Sequence, residues 1–288
     1  MPFFSVIIPA YNAAHCIENA LNSVAKQSYK DFEIIVVNDG STDDTKAILK
    51  KWRSAHPDIK MRIKSQDNRG LGKSRNRATA MARGIFAALL DADDSWHPDK
   101  LKVVQQYLDK NRSVRAVFHK VEAVGLKQHK TRPAYLPKSV SELLIKGNPI
   151  VPSAFCMKRK MFKYFPFSQK IIFHGAEDLH LWIRLLLDKQ KMGFIDEVLT
   201  QYTEDGGMST KLAHHLRKVE NVLQFFLETG EIDRGIYIKA SRRKRYEAAR
   251  FYHKRGLFRK AESFYTASQL KSFKRLTLQL LCFLGIAL

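Results

Sequence analysis

Three short apolar runs, at residues 4–8, 32–37 and 85–90, and a weaker, alternating run at 59–63 between the last two, are each followed by a polar turn and then by a stretch of helical spacing. Strands buried on both faces read as continuous apolar runs, and strands alternating with helices pack as a parallel sheet joined by right-handed crossovers. The expected fold class is therefore α/β, with a doubly wound, mostly parallel sheet. Helices are expected at 16–24, 44–53 and 71–83, with another starting near Pro98. The second half is less regular. It predicts strands at 114–118 and 193–199 and a helix opened by Glu177-Asp178, with a basic, proline-containing loop at 127–138. From Thr210 onward the pattern is helical and basic. The chain thus divides into a domain at 1–209, with halves at about 1–112 and 113–209, and a helical C-terminal appendage at 210–288.

The fourth run ends in Asp91-Ala92-Asp93-Asp94-Ser95-Trp96. In an open α/β sheet the carboxyl edge of the strands is where ligands bind. Three carboxylates this close repel one another, and capping the next helix accounts for only one of them. Hard oxygen ligands suit Mg²⁺ or Mn²⁺, which usually pair one or two carboxylates with substrate phosphates. The second run ends in Asn38-Asp39-Gly40-Ser41-Thr42-Asp43. Asp39 lies on the same edge and is placed to accept a hydrogen bond from a base or ribose; an Asx-turn is the alternative. Asp43 or Thr42 caps the helix that follows.

Two nucleotide motifs are excluded. Gly72-Lys73-Ser74 resembles the end of a P-loop, but that motif's first glycine would fall at Asp67; a dinucleotide fingerprint from Gly70 would need a glycine at Arg75. What remains is a turn at Asn68-Arg69-Gly70 opening a helix, with Arg75 as an anion partner. Glu177-Asp178 offers either a favourable interaction with its helix dipole or a general base. Cys16, Cys156 and Cys282 lack metal spacing, and so sparse a set fits reduced thiols.

Taken in order, these motifs resemble family 2 glycosyltransferases. The resemblance rests on Pro9-Ala10-Tyr11-Asn12, Asn38 to Asp43, Asn68 with Arg75-Asn76, the stretch from Asp91 through Trp96 to Leu101, and Glu177-Asp178-Leu179-His180-Leu181-Trp182. It implies a GT-A fold, an inverting reaction and a nucleotide-diphosphosugar donor, with UDP the expected nucleotide. By resemblance Pro9, Ala10, Tyr11, Asp39, Asn68, Arg75, Asp91 and Ala92 bind the nucleotide. Asp93 binds a metal, Mn²⁺ or Mg²⁺, and Asp178 is the base, with Glu177 the alternative. Many relatives carry a loop histidine near the metal. Here Asp205 stands near that place, and either it substitutes as an oxygen ligand or the contact is missing. The acceptor implied is a glycan or lipid-linked hydroxyl in the assembly of surface polysaccharide or glycolipid.

The net charge of +22 points to a polyanionic partner. Residues 210–288 hold 17 Lys and Arg against 6 Asp and Glu, half of the whole excess. Nucleic acid is disfavoured, since no basic stripe is interleaved with stacking aromatics; a basic binding module on a degenerate transferase fold ranks second. No signal peptide is recognisable, so a cytoplasmic location is expected. Lys271, Lys274 and Arg275 precede an apolar stretch at 276–288, shorter than the roughly 20 residues a spanning helix needs. Peripheral attachment to an anionic inner leaflet is one reading; packing on the core or a dimer contact is the other. The oligomeric state is left open.

Overall fold

The computed structural model describes residues 1–125, 130–203, 212–269 and 273–286. The chain forms two compact units. One comprises Met1–Pro137 with Pro149–Gly207, the other Lys138–Asn148 with Met208–Leu288. The helical unit therefore includes a segment that the sequence reading left within the first domain.

The first unit is built on one sheet. Strands β1 (Phe4–Ala10), β2 (Phe32–Asp39), β3 (Met61–Gln66) and β4 (Phe86–Leu89) are mutually parallel, in the order β3-β2-β1-β4. Helices α1 (Ile17–Ala25), α2 (Thr45–Ala55) and α3 (Leu71–Met81) make the crossovers. Every residue of β1 and β2 is buried, as their unbroken apolar runs require. After β4 come β5 (Ser95–Trp96), α4 (Lys100–Lys110), β6 (Ala116–Val124) and β7 (Lys130–Thr131). In the other unit lies α5 (Val140–Lys146); the sheet then resumes with β8 (Phe155–Lys158), α6 (Glu177–Leu187) and β9 (Met192–Thr203).

Beyond β4 the sheet is mixed, continuing β8-β6-β9-β5. Strand β8 runs antiparallel to both β4 and β6, while β6 and β9 are parallel. The expected strand at 59–63 sits later, as β3. There the half-buried Arg62 and Ile63 and the exposed Lys64 and Ser65 follow Met61, as suits a strand at the end of the sheet. The core packs Ile8, Val36, Leu49, Trp52, Leu101 and Val117, among others, between sheet and helices.

The second unit contains α5, α7 (Leu212–Glu228), α8 (Arg234–His253), α9 (Phe258–Ser268) and α10 (Phe273–Phe283). Helix α5 opens on a capping-box sequence: Ser139 Oγ accepts from the Glu142 amide at 3.1 Å, while Glu142 Oε2 reaches one residue past the N-cap to accept from the Lys138 amide at 2.8 Å. Tyr246, Ala249, Ala261, Tyr265, Leu278 and Cys282 form a core shared by α8, α9 and α10.

Candidate active site

The carboxyl ends of β1, β2 and β4 bring the predicted residues to one edge. The loops after β1 and β2 are fastened together. Asn12 Oδ1 accepts from the Thr42 amide at 2.8 Å, the Asn12 amide donates to Ser41 Oγ at 3.0 Å, and the Ala14 amide donates to Asp43 Oδ2 at 3.0 Å. The N-cap of α2 is Asp44 rather than Asp43 or Thr42, but Asp43, one position outside it, accepts from the Thr45 amide at 3.1 Å and so steadies the start of the helix. Pro9 and Ala10 are buried at the end of β1, and Tyr11 stands 52% exposed beside them.

Asp39, the last residue of β2, is buried and already occupied. Its Oδ1 accepts from Gln66 Nε2 at 2.6 Å and the Arg69 amide at 2.9 Å, and its Oδ2 accepts from the Gly70 amide at 2.8 Å. The carboxylate therefore shapes the loop from β3 to α3. Two glycines make that loop possible. Gly40 has φ +75°, and a Cβ there would lie 2.6 Å from the Asn68 amide nitrogen. Gly70 has φ +87°, and its Cβ would lie 2.5 Å from the His174 ring. Asn68 itself is exposed.

Arg75, on α3, is only 1% exposed. Its Nη2 donates to Asp91 Oδ1 at 2.6 Å, its Nη1 donates to Glu177 Oε1 at 3.0 Å, and its guanidinium lies 5.2 Å from the Phe167 ring centroid. The neighbouring Asn76 fixes that ring's backbone: Asn76 Nδ2 donates to the Phe167 carbonyl, and the Phe167 amide donates to Asn76 Oδ1, both at 2.9 Å. One fork thus joins the end of β4 to the start of α6, because only a planar guanidinium presents two parallel sets of donors. The two carboxylates, with Asp178, hold the Arg75 cation firmly charged against its burial.

The three aspartates after β4 have separate surroundings. Asp94 is buried; its Oδ1 accepts from the Thr203 amide at 2.9 Å and its Oδ2 accepts from Ser153 Oγ. Ser153 Oγ also accepts from the Asp91 amide at 2.9 Å, and the Ser153 carbonyl accepts from Trp96 Nε1 at 2.8 Å. Ser153 therefore ties the acidic turn to the far half of the sheet. Burial, then the charges of Asp91 and Asp93, hold the Asp94 carboxyl well above the usual carboxylate range. Asp93 and Ala92 are half-buried. Burial, and next the Asp91 charge, raise the Asp93 carboxyl, with Arg75 and His15 opposing more weakly.

These observations fit a hard divalent cation: oxygen donors only, at Asp91 and Asp93, with Arg75 divided between Asp91 and Glu177 and so offsetting the local negative charge only in part. No group of three His, Cys, Asp or Glu side chains converges on a point among the described residues, so ligand oxygens would complete the shell. Asp205 lies outside the described residues.

Glu177 and Asp178 open α6, whose N-cap is Ala176. Both Glu177 oxygens are taken, Oε1 by Arg75 and Oε2 by the Gly175 amide at 2.6 Å. Asp178 is half-buried. Burial, followed by the Glu177 charge, pushes its carboxyl up to about 7, against the opposing pull of Arg75. A group titrating near neutrality is poised to exchange protons.

Sequence reasoning missed Gln66, Ser153, Phe167, His174 and Thr203. Gln66 and Ser153 act through side-chain hydrogen bonds to partners distant in sequence, and the others through a backbone group or a packing contact, none of which has a spacing signature in the chain.

The profile described as Glycosyl transferase family 2 matches residues 5–165. A glycosyltransferase of Methanocaldococcus jannaschii is 30% identical over 208 residues, 70% of this chain and 70% of that protein. Two rickettsial glycosyltransferases match over 72% of this chain but about a third of their own length. Among solved structures, Staphylococcus aureus TarS residues 1–349 in complex with UDP-GlcNAc superpose with a TM-score of 0.64 at 19% identity, covering 98% of this chain and 87% of that one. The mannosyltransferase PcManGT of Pyrobaculum calidifontis, in complex with GDP-Man and Mn²⁺, gives 0.62 at 20% identity, covering 96% and 78%. These likenesses establish the GT-A fold, and the sequence match carries the assignment further: with its acidic turn after β4 inside the matched region, the chain is a glycosyltransferase and belongs to glycosyl transferase family 2.

Proposed function

We propose that the protein is an inverting, metal-dependent transferase that moves a sugar from a nucleotide-diphosphosugar, in our reading a UDP-sugar, to a hydroxyl of a glycan or lipid-linked acceptor in the assembly of a surface polysaccharide or glycolipid, acting at the inner face of the cytoplasmic membrane. The observation that carries the reading is the division of labour between Glu177 and Asp178. Glu177 is committed to Arg75 and Gly175, which leaves Asp178 to act, with a proton affinity suited to neutral pH. Solved relatives of the same fold hold UDP-GlcNAc in one case and GDP-Man with Mn²⁺ in the other, which supports a nucleotide-sugar donor and a divalent cation.

In this reading Asp178 takes the proton from the acceptor hydroxyl as its oxygen bonds to the anomeric carbon. The bond from that carbon to the diphosphate oxygen breaks, and its electron pair leaves with the nucleoside diphosphate. Asp93, with Asp91 beside it, would hold Mn²⁺ or Mg²⁺, which when bound supplies Lewis-acid stabilisation of the departing diphosphate. Arg75 keeps Asp91 and α6 in register, so that the donor side and the base are set by one side chain.

Asp178→Asn is nearly isosteric and cannot accept the proton. Its turnover of UDP-sugar should fall at least about 100-fold, with UDP affinity within about twofold of the parent. Turnover close to the parent value would remove Asp178 from the mechanism.

A further inference from the structure

Helix α10 buries one face and leaves the other bare. Leu278 and Cys282 pack into the core of the helical unit, and Cys282 Sγ donates to the Phe258 carbonyl at 3.1 Å. Leu276, Leu280, Phe283 and Leu284 recur at intervals of four, three and one, which is a single helical stripe, and each is more than half exposed, Phe283 the most at 73%. Ile286 and Leu257 are also exposed. They lie at the same end of the unit, because the Ile286 carbonyl sits 2.7 Å from His253 Nε2, four residues before Leu257.

The charge around this stripe is predominantly of one sign, Glu262 beside Cys282 being the exception. The turn between α8 and α9 carries exposed Lys254, Arg255, Arg259 and Lys260. From residue 248 to 288 there are eight Lys and Arg and one acid, Glu262. A stripe meant for another protein's apolar surface would not need so strong a basic excess at its rim, whereas anionic headgroups would be matched by it. No described helix is long and apolar enough to cross a bilayer.

We infer that the exposed face of α10, with the basic turn between α8 and α9, is a docking surface for an anionic lipid bilayer, with Leu280, Phe283 and Leu284 entering the headgroup boundary and Lys254, Arg255, Arg259 and Lys260 resting on the lipid phosphates. The inference rests on the membrane location in the proposed function and deepens it, whereas the transfer chemistry depends on other residues, so flotation and turnover can fail separately.

Flotation of the full chain tests it, with vesicles of pure phosphatidylcholine and vesicles containing about one-third phosphatidylglycerol. The parent should float with the anionic vesicles and little with the neutral ones. Leu280→Ser/Phe283→Ser should lower partitioning onto anionic vesicles at least about tenfold at any salt, since two large apolar side chains no longer insert. Lys254→Gln/Arg255→Gln/Arg259→Gln/Lys260→Gln should lower it by a similar factor at low salt and abolish its salt dependence. Both variants should keep the parent's UDP affinity and thermal midpoint, which separates loss of docking from loss of fold. Equal flotation of parent and apolar variant, or no flotation of the parent, overturns the proposal. So does a parent dimer in light scattering that the apolar substitutions convert to monomer without changing flotation, because the stripe would then be a contact between copies.

Discussion

Arg75 and Glu177, 102 positions apart, form a 3.0 Å ion pair in which both side chains are almost wholly buried, and the same guanidinium reaches Asp91 at 2.6 Å. Removing one partner of a buried pair strands the others without compensation. Arg75→Met should therefore destabilise the fold by about 3–5 kcal/mol in urea titration. Arg75→Lys keeps the charge but not the fork, and should recover only part of that loss while turnover stays low. A Met variant as stable as the parent would deny the bridge any structural role.

Asp39 accepts three hydrogen bonds from the chain itself, so its replacement should not be a pure binding defect. Asp39→Ala frees the Arg69 and Gly70 amides and the Gln66 side chain. It should cost about 1–3 kcal/mol of stability without any nucleotide present, beyond whatever affinity for UDP is lost. Comparing denaturation midpoints of the unliganded proteins checks this; an unchanged midpoint with weakened UDP binding would restore the simpler ligand-contact reading.

Asp93 carries a charge that burial and Asp91 disfavour. Asp93→Ala should leave the metal-free protein at least as stable as the parent, and should remove the rise in melting temperature that Mn²⁺ with UDP produces, since only binding to the native state raises that temperature. Treating the parent with EDTA should have the same effect on the UDP shift. A variant that keeps its Mn²⁺-dependent shift would place the metal elsewhere.

Asp178 gives a pH signature with a fixed sign. Its folded carboxyl sits near 7, above the ordinary carboxylate range, so the native state holds a proton that the unfolded chain releases at lower pH. Stability should consequently fall as pH rises from about 4 to about 7 and then level off, with this group contributing up to about 4 kcal/mol across that range. Asp178→Asn lacks the titration and should flatten that part of the profile. In the parent, turnover should rise over the same range, as the base loses its proton, and a stability profile unchanged by the substitution would show that the proton belongs to another group.

The parallel half of the sheet was legible because β1 and β2 are buried on both faces and therefore written in unbroken apolar residues. Strand β8 was not. Phe155-Cys156-Met157-Lys158 is short, lacks β-branched residues and follows Pro152, and its antiparallel placement depends on partners 70 and 40 residues away. Helix α5 did have a signal, the Ser139-Val140-Ser141-Glu142 capping-box sequence, which the neighbouring proline-rich loop obscured. At the site, residue types pointed correctly to a carboxylate edge, but how each carboxylate is satisfied could not be read. Asp39, Asp94 and Glu177 take their donors from backbone amides and from side chains distant in sequence, and nothing local distinguishes them from Asp91, Asp93 and Asp178.

The position of β8 also has a consequence for biosynthesis. The first four strands can pair as soon as they leave the ribosome, but β4 then forms the border of a growing sheet, with all four of its residues destined for burial. Its neighbour on that side, β8, ends about 70 residues later in the chain. At roughly 5–20 residues per second, the nascent protein presents an unpaired apolar strand for several seconds before its cover is made. Between translation of Leu89 and Lys158 a chaperone has an apolar strand to cover, and slowed translation there should favour aggregation.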